Sequence, residues 1–255
     1  MTSLLAEHEP HPVAIERGDA SSQFFFSCDH ASNRIPESLG TLGLDSSELE
    51  RHIAWDIGAA EVSRVLSRQL DATLVLQNYS RLVIDCNRPH ENEQLIPLLS
   101  EATDIPGNRN VTEQQRASRI DEIFTPYHDA ITDLLERRQS RANPTVFVAI
   151  HSFTPNYRGT QRPWDIGILS RTDQRIAELM LEELNADDSI CAGDNEPYKI
   201  DQKDYGIPVH AEVRGLSHVL IELRQDLVDS QSGQQAWADR LGGLLTRALR
   251  NSQSR

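Results

Sequence analysis

The stretch Val146-Phe147-Val148-Ala149-Ile150 decides the fold, because it is a continuous apolar run that stops at His151. Five consecutive apolar residues, three of them β-branched, predict a short strand that is covered on both faces of a sheet. Similar runs recur along the chain. The predicted strands are Phe24–Cys28, Thr73–Leu76, Leu82–Cys86, Val146–Ile150, Ile166–Leu169 and His218–Leu223.

Helical patterns separate the predicted strands. Asp45, with Glu48 three residues later, is typical of a helix N-terminus, and this helix is expected to run to about Leu70. Apolar spacing predicts three further helices, one that follows Thr112 and two that lie around Ile176–Leu184 and Trp237–Leu249. Pro126 is expected to kink or split the first of these three. Strands interleaved with helices predict the fold class, an α/β domain with a largely parallel sheet.

The composition excludes several classes of function. The 255 residues include 25 Lys+Arg against 39 Asp+Glu, a net charge of −14, and no basic stripe that could follow a nucleic-acid backbone. No apolar stretch approaches the roughly 20 residues of a membrane helix, and Met1–Pro12 lacks the pattern of a signal peptide. Cys28, Cys86 and Cys191 are widely spaced, which favours a reducing, cytoplasmic location. We expect one domain over residues 21–250 after a polar segment over residues 1–20.

Two histidines stand directly after predicted strands. One residue, Asp29, separates His30 from the predicted strand Phe24–Cys28, and His151 comes directly after Val146–Ile150. Ligands of open α/β sheets bind beyond the carboxyl ends of the strands, so both imidazoles are expected at one site. Two histidines and one oxygen ligand leave the open position that a hydrolytic zinc ion needs. The alternative is that each histidine is a hydrogen-bonded residue without a metal.

Asp56 is the candidate for the oxygen ligand. On a helix that begins at Asp45, it would project into the same buried stripe as Ile53 and Ile57. A buried carboxylate must be paired or bound to a cation. Asp56 is therefore either a metal ligand or the ion-pair partner of an arginine.

Other polar residues flank the predicted strands as well. Arg81 and the pair Asn87-Arg88 predict a pocket for a substrate carboxylate, because a guanidinium group matches a carboxylate in shape and charge. Surface salt bridges are the alternative for either arginine. Glu222 ends an apolar strand and is suited to act as a general base on water, unless it pairs with Arg224.

Five motifs, taken in order, resemble those of a known family. The motifs are Asp29-His30-Ala31-Ser32-Asn33-Arg34-Ile35-Pro36, Ala54-Trp55-Asp56-Ile57-Gly58, Asp85-Cys86-Asn87-Arg88-Pro89, His151-Ser152-Phe153-Thr154-Pro155 and Glu222-Leu223-Arg224-Gln225-Asp226-Leu227. From about Phe24 to Asp229 the chain resembles the N-formylglutamate amidohydrolase family, which is similar in turn to zinc carboxypeptidases and aspartoacylases. The resemblance implies a mixed sheet, one zinc ion as cofactor and hydrolysis of an N-acyl amino acid such as N-formylglutamate.

The resemblance also implies roles for the candidate residues. It makes His30 and His151 metal ligands and Glu222 the base, and it assigns the substrate carboxylate to Arg81, Asn87 and Arg88. The sequence departs from the related enzymes at Asn33, where they carry the Glu of a His-x-x-Glu motif, so the third ligand is either Asp56 or Asn33.

Two other functions stay open. One is a metal-dependent peptidase of short or cell-wall peptides, and the other is a binding module for carboxylates that lacks catalysis. The long polar stretches Pro89–Val111 and Cys191–Glu212 are expected to be functional loops that bear on this choice.

Overall fold

The protein is built around one mixed sheet in the computed structural model, which describes residues 3–254. Its strands, in chain order and with those of two small hairpins included, are β1 (Val13–Glu16), β2 (Phe24–Cys28), β3 (Thr73–Gln77), β4 (Leu99–Ser100), β5 (Thr103–Asp104), β6 (Val146–Phe153), β7 (Asn156–Tyr157), β8 (Thr160–Gln161), β9 (Ile166–Leu169), β10 (Ala192–Asp194) and β11 (Ser217–Arg224).

Seven of these strands form the large sheet, in the order β1-β3-β2-β6-β11-β9-β10. Neighbouring strands are parallel except for β1 with β3 and β11 with β9. β1 lies within residues 1–20 and adds an edge strand that the sequence patterns did not predict. The predicted fold class is confirmed, since this is a single α/β domain whose mixed sheet is mostly parallel and flanked by helices.

The helices cover both faces of the sheet. They are α1 (Ser46–Leu49), α2 (Ala59–Gln69), α3 (Glu113–Arg119), α4 (Thr125–Ser140), α5 (Arg175–Leu184) and α6 (Gln231–Ser252). Val148 and Ile150 of β6 pack in the cluster formed with α2, α5 and α6. Phe147 and Ala149 pack on the opposite face with residues of α4. Because successive side chains of a strand point to opposite faces, burial on both faces explains the continuous apolar run of β6.

Thr112 begins its helix as the sequence predicts. Its side-chain oxygen accepts from the backbone N–H of Gln115 at 3.2 Å, and the Gln115 side chain accepts from the backbone N–H of Thr112 at 2.9 Å. A π-helical turn over Ile120–Phe124 joins α3 to α4, and Pro126 lies in the first turn of α4. The helical backbone therefore continues through this region without a break, and its departure from regular α-helix is a π-helical turn just before the proline. No helix within residues 3–254 is both long and apolar enough to cross a bilayer.

The strand predicted over Leu82–Cys86 is wrong. These residues form turns, in which the backbone N–H of Val83 donates to Ser80 and that of Asp85 donates to Leu95. The apolar side chains are buried all the same, against the face that α4 covers. A short apolar run indicates that its side chains are buried, but it does not by itself specify a strand. In the described part of the chain, residues 82–86 pair with no strand of the sheet.

The single helix predicted from Asp45 to Leu70 is also wrong, because α1 and α2 are separated by turns. Gly58, just before α2, has a φ of 77°, which a regular right-handed helix cannot contain. A Cβ atom at this position would lie 2.1 Å from the carbonyl oxygen of Val228. Asp56 consequently lies in a turn and not on a helical face, although its side chain is buried as expected.

Candidate active site

The register of the central strands brings polar residues to one edge of the sheet. His151 on β6 lies directly opposite Glu222 on β11. On the other side of β6, Ser27 of β2 lies opposite Ala149, so Asp29 and His30 follow at the level where β6 carries His151. The backbone N–H of Asp56 donates to the carbonyl of His30 at 2.9 Å. That bond holds the turn before α2 against the end of β2.

His30, Asp56 and His151 converge at the centre of this edge. The Nδ1 atom of His30 lies 3.3 Å from Oδ2 of Asp56, and Nδ1 of His151 lies 2.8 Å from the same oxygen. All three side chains are buried, and their ligand atoms lie within 4.8 Å of one another. A zinc ion with bonds of about 2.0–2.1 Å would place tetrahedral ligands roughly 3.4 Å apart. The donor set and its spacing therefore fit a divalent metal ion.

Two further aspartates face the outer nitrogens of these histidines. The Nε2 atom of His30 lies 2.7 Å from Oδ1 of Asp85, and Nε2 of His151 lies 3.5 Å from Oδ2 of Asp29. The buried hydroxyl of Tyr127 donates to the other oxygen of Asp29 at 2.6 Å. A carboxylate on the outer nitrogen fixes the tautomer and orientation of a metal-binding histidine. This arrangement directs both Nδ1 atoms toward Asp56.

Asp29 and Asp85 belong to two of the five motifs, in which no role is predicted for them. Each stands at the beginning of its motif, directly after an apolar run. This position after an apolar run could have identified both aspartates as candidate site residues, because it is the same feature that identified His30 and His151.

The charges of the cluster reinforce one another. Burial alone would raise the pKa of Asp29, but the contact with His151 and the charges of both histidines lower it to about 2. The pKa of Asp56 is lowered against the effect of burial by His30 and His151. Burial opposes protonation of His151, yet Asp29 and Asp56 hold the pKa of that imidazole well above its usual range. The centre thus favours positive charge, carried by protons or by a cation.

Asn33 is turned away from this cluster. Its side-chain amide donates to the carbonyl oxygen of Leu49 at 3.0 Å, which ties the loop after β2 to the end of α1. Of the two residues considered for the third ligand, the structure places Asp56 beside the histidines and Asn33 outside them.

The two predicted arginines already have carboxylate partners. Arg81 Nη2 lies 2.8 Å from Oδ2 of Asp85, and its Nη1 lies 3.5 Å from Oδ1 of Asp56. Arg88 Nη1 donates to Oδ1 of Asp204 at 2.9 Å. Both guanidinium groups also line a large cavity that contains the cluster, and about a quarter of each side chain is exposed. Arg81 therefore connects the aspartates of the cluster to the open space above them.

Asn87 holds a loop in place. Its side-chain oxygen accepts from the backbone N–H groups of Tyr205 and Gly206 at 3.0 and 2.9 Å. Its amide nitrogen donates to Asp204 at 3.2 Å. Asn87 lines the same cavity, so any contact with substrate would be additional to this structural role.

Glu222 lies beside the cluster with a free carboxylate oxygen. Its Oε2 atom is buried and accepts no hydrogen bond within the described chain. Arg224, the partner considered for it, instead pairs with Asp165 and Asp226 at 2.9 and 2.8 Å. Burial raises the pKa of Glu222 to about 7, and the negative charge of Asp56 adds to this shift while His151 opposes it. Such a carboxylate can exchange a proton near neutral pH.

The cluster lies in a cavity of about 1000 Å³. Both long polar stretches contribute to its walls, through side chains within residues 92–101 and 197–204. Side chains from the strand ends and from these two loops thus surround one space. A cavity of this size accommodates a ligand of drug-like dimensions.

Two other histidines form a separate buried pair. Nε2 of His128 lies 2.9 Å from the carbonyl oxygen of Cys86, and Nδ1 of His128 lies 2.8 Å from Nε2 of His210. Burial lowers the pKa of His128 to about 4 and that of His210 to about 3. Both imidazoles are therefore neutral and belong to the core. His128 and His210 lie outside the His30–Asp56–His151 cluster.

Replacing Asp85 with Asn is expected to weaken metal binding by about 10- to 100-fold, because a neutral amide supports the His30 imidazole less well than a carboxylate. The measurement is a competition titration of zinc against a chelating dye. Asp104→Asn is the matched control, since Asp104 is exposed and forms an ion pair with Arg109 at 3.2 Å. Equal zinc affinity in Asp85→Asn and wild type would contradict the supporting role of Asp85.

Comparisons with known proteins agree with this geometry. The family described as N-formylglutamate amidohydrolase matches residues 22–228. Among solved structures, the chain is similar to a gene product of Agrobacterium tumefaciens, with 39% sequence identity, a TM-score of 0.95 and coverage of 98% of this chain and 99% of that chain. An N-formylglutamate amidohydrolase from Ralstonia eutropha JMP134 has 17% identity, a TM-score of 0.69 and coverage of 96% and 99%, which shows a shared fold. A search of curated proteins finds no match.

Proposed function

The chain belongs to the N-formylglutamate amidohydrolase family, as its five motifs predict, and on that premise we propose that it is a metal-dependent hydrolase of N-acyl amino acids such as N-formylglutamate. Membership supports an enzyme that hydrolyses amide bonds. The observation that carries the proposal is the convergence of His30, Asp56 and His151 beside Glu222, whose Oε2 atom has no hydrogen-bond partner among the described residues. Zinc is the metal that this donor set suits best.

Each residue has a defined part in the proposed reaction. His30, Asp56 and His151 would hold the ion, which when bound lowers the pKa of water and polarises the acyl oxygen. Glu222 accepts a proton from the attacking water and passes it to the leaving amine. The amide C–N bond is replaced by a C–O bond, so that N-formylglutamate and water yield formate and glutamate.

The substrate carboxylate next to the amide is proposed to bind Arg81 and Arg88. Both guanidinium groups line the cavity and keep donors that their aspartate partners do not use. Holding the carboxylate there would orient the amide toward Glu222 and turn a bimolecular reaction into one within a complex. Asn87 would fix the loop that carries Asp204, the partner of Arg88.

A hydrolysis screen tests this function. Zinc-loaded protein is incubated with N-formylglutamate, N-acetylglutamate and the dipeptide glycylglutamate, and the release of free amine is measured. We expect the highest kcat/KM on N-formylglutamate, with activity lost after chelation and restored by zinc. Boiled protein with the same zinc serves as the control for hydrolysis by the metal alone.

The size of the cavity favours one alternative, a peptidase of short peptides. N-formylglutamate has few atoms for a space of about 1000 Å³, and this volume lies at the upper end for small-ligand pockets. Faster hydrolysis of the dipeptide than of N-formylglutamate would favour the peptidase. Failure of all three substrates, with zinc bound, would favour a binding module.

A further inference from the structure

The two lysines of the protein lie together in one place. Lys199 and Lys203 are the only lysines in the 255-residue sequence, and every other residue counted in its 25 Lys+Arg is an arginine. Both line the large cavity above the metal-binding cluster. In a chain with a net charge of −14, both lysine side chains therefore lie on one short loop that lines the cavity.

The loop that carries the lysines is fixed at three points. At one end, the hydroxyl of Tyr198 accepts from Nη1 of Arg162 at 2.9 Å. In the middle, the side chain of Ile200 is buried in the hydrophobic core. At the other end, the Lys203 backbone carbonyl accepts from Nη1 of Arg88 at 3.0 Å. The backbone of the loop is therefore anchored, and the flexible parts are the two lysine side chains.

These ammonium groups are free, whereas the site arginines are not. Arg81 is paired with Asp85 and Arg88 with Asp204. Neither Lys199 nor Lys203 has a carboxylate within ion-pair distance in the part of the chain that the structure describes, and both residues are exposed at the cavity. An unpaired ammonium group is a strongly hydrated point charge on a flexible stem, which suits a mobile anionic group of a ligand.

We propose that Lys199 and Lys203 bind a second carboxylate of the substrate, the one remote from the amide that is cleaved. This inference rests on the proposed function and assigns recognition of the acidic side chain of N-formylglutamate to these two lysines. Arg81 and Arg88 then serve the carboxylate next to the amide, and the two lysines select for the side chain. The selection is electrostatic, so it weakens as the salt concentration rises.

The test compares two substrates that differ in one group. N-formylglutamate and N-formylglutamine have nearly the same shape, but only the former carries a charged side chain. In the double variant Lys199→Gln/Lys203→Gln, the KM for N-formylglutamate should rise roughly 3- to 30-fold, as expected for two partly exposed ion pairs. The kcat, and the KM for N-formylglutamine, should change by less than about twofold, since neither depends on these ion pairs.

Two further variants serve as controls. Lys199→Arg/Lys203→Arg keeps both charges and should retain most of the preference for N-formylglutamate. Arg250→Gln, at an exposed position near the end of α6, removes one positive charge far from the cavity and should leave both KM values as in wild type. An effect in Arg250→Gln as large as in the lysine variant would mean that overall charge, and not the loop, attracts the substrate.

The outcomes separate this inference from the proposed function. Hydrolysis of both substrates with equal kcat/KM in wild type, or an equal loss on both in the lysine variant, overturns the inference and leaves the amidohydrolase standing. If wild type hydrolyses neither compound, the proposed function fails. The inference is then tested by calorimetric measurement of the binding of both compounds to wild type and to the lysine variant. Tighter binding of N-formylglutamate than of N-formylglutamine, abolished in the lysine variant, then supports it, and equal binding overturns it.

Discussion

Replacing Glu222 with Gln is expected to lower kcat by about 10²- to 10⁴-fold, the usual contribution of a general base, while the protein keeps its metal. Glutamine has nearly the same shape but cannot accept a proton from water. The side chain is buried next to His151 on the neighbouring strand, and its Oε2 atom has no hydrogen-bond donor to lose within the described chain. Steady-state kinetics on the best substrate and elemental analysis for zinc, on the same sample, give the two measurements.

The control for this variant is Glu136→Gln, an exposed glutamate on α4 that makes the same chemical change far from the cavity. It should match wild type in kcat and in zinc content. If Glu222→Gln loses zinc together with activity, Glu222 is a metal ligand and not a base. If it keeps full activity, another group activates water.

Replacing His30 or His151 with Ala, or Asp56 with Asn, is expected to abolish stoichiometric zinc and to reduce kcat/KM by at least about 10³-fold, because the ion supplies several kcal/mol of transition-state stabilisation. The three side chains provide the ligand atoms of the one cluster found in residues 3–254. Zinc is measured by elemental analysis after dialysis, and folding is checked by circular dichroism.

His8→Ala is the matched control for the histidine variants, since His8 is exposed and its Nε2 lies 2.9 Å from Oε1 of Glu37. It should bind one zinc ion per chain. Stoichiometric zinc in purified His30→Ala or His151→Ala would contradict the ligand assignment. Unchanged zinc affinity in Asp56→Asn would return the third ligand to Asn33 or to water.

The residues on or directly after the central strands were the predictable part of the site. The apolar run that ends at His151 is unambiguous because β6 is buried on both faces, and the same holds for the run before His30. β6 extends to Phe153, beyond the predicted end at Ile150, so that His151 lies within the strand. The carboxyl ends of parallel strands still lie at one edge of the sheet. The two histidines and Glu222 therefore follow from pattern alone, before any distance is known.

The turns were the part that pattern could not resolve. Residues 82–86 and 50–58 are apolar enough to suggest regular elements, yet hydrogen bonds to distant residues fold them into loops. The burial of Asp56 was predicted from a helix that does not exist. Asp56 is held in its buried position by the hydrogen bond from its backbone N–H to the carbonyl oxygen of His30. Pairings such as those of His30 with Asp85 and of His151 with Asp29 depend on tertiary contacts that no local spacing encodes.

The order of strands in the sheet has a consequence for how the chain matures. β11 follows every other strand of the large sheet in sequence, yet it lies between β6 and β9 and joins the two halves of the sheet, β1-β3-β2-β6 and β9-β10. Until it inserts, β6 lacks one neighbour and the pocket lacks Glu222. Pairing strands so far apart in sequence is slow compared with local folding. The candidate active site should therefore be completed in one step, when β11 pairs with β6 and brings Glu222 opposite His151.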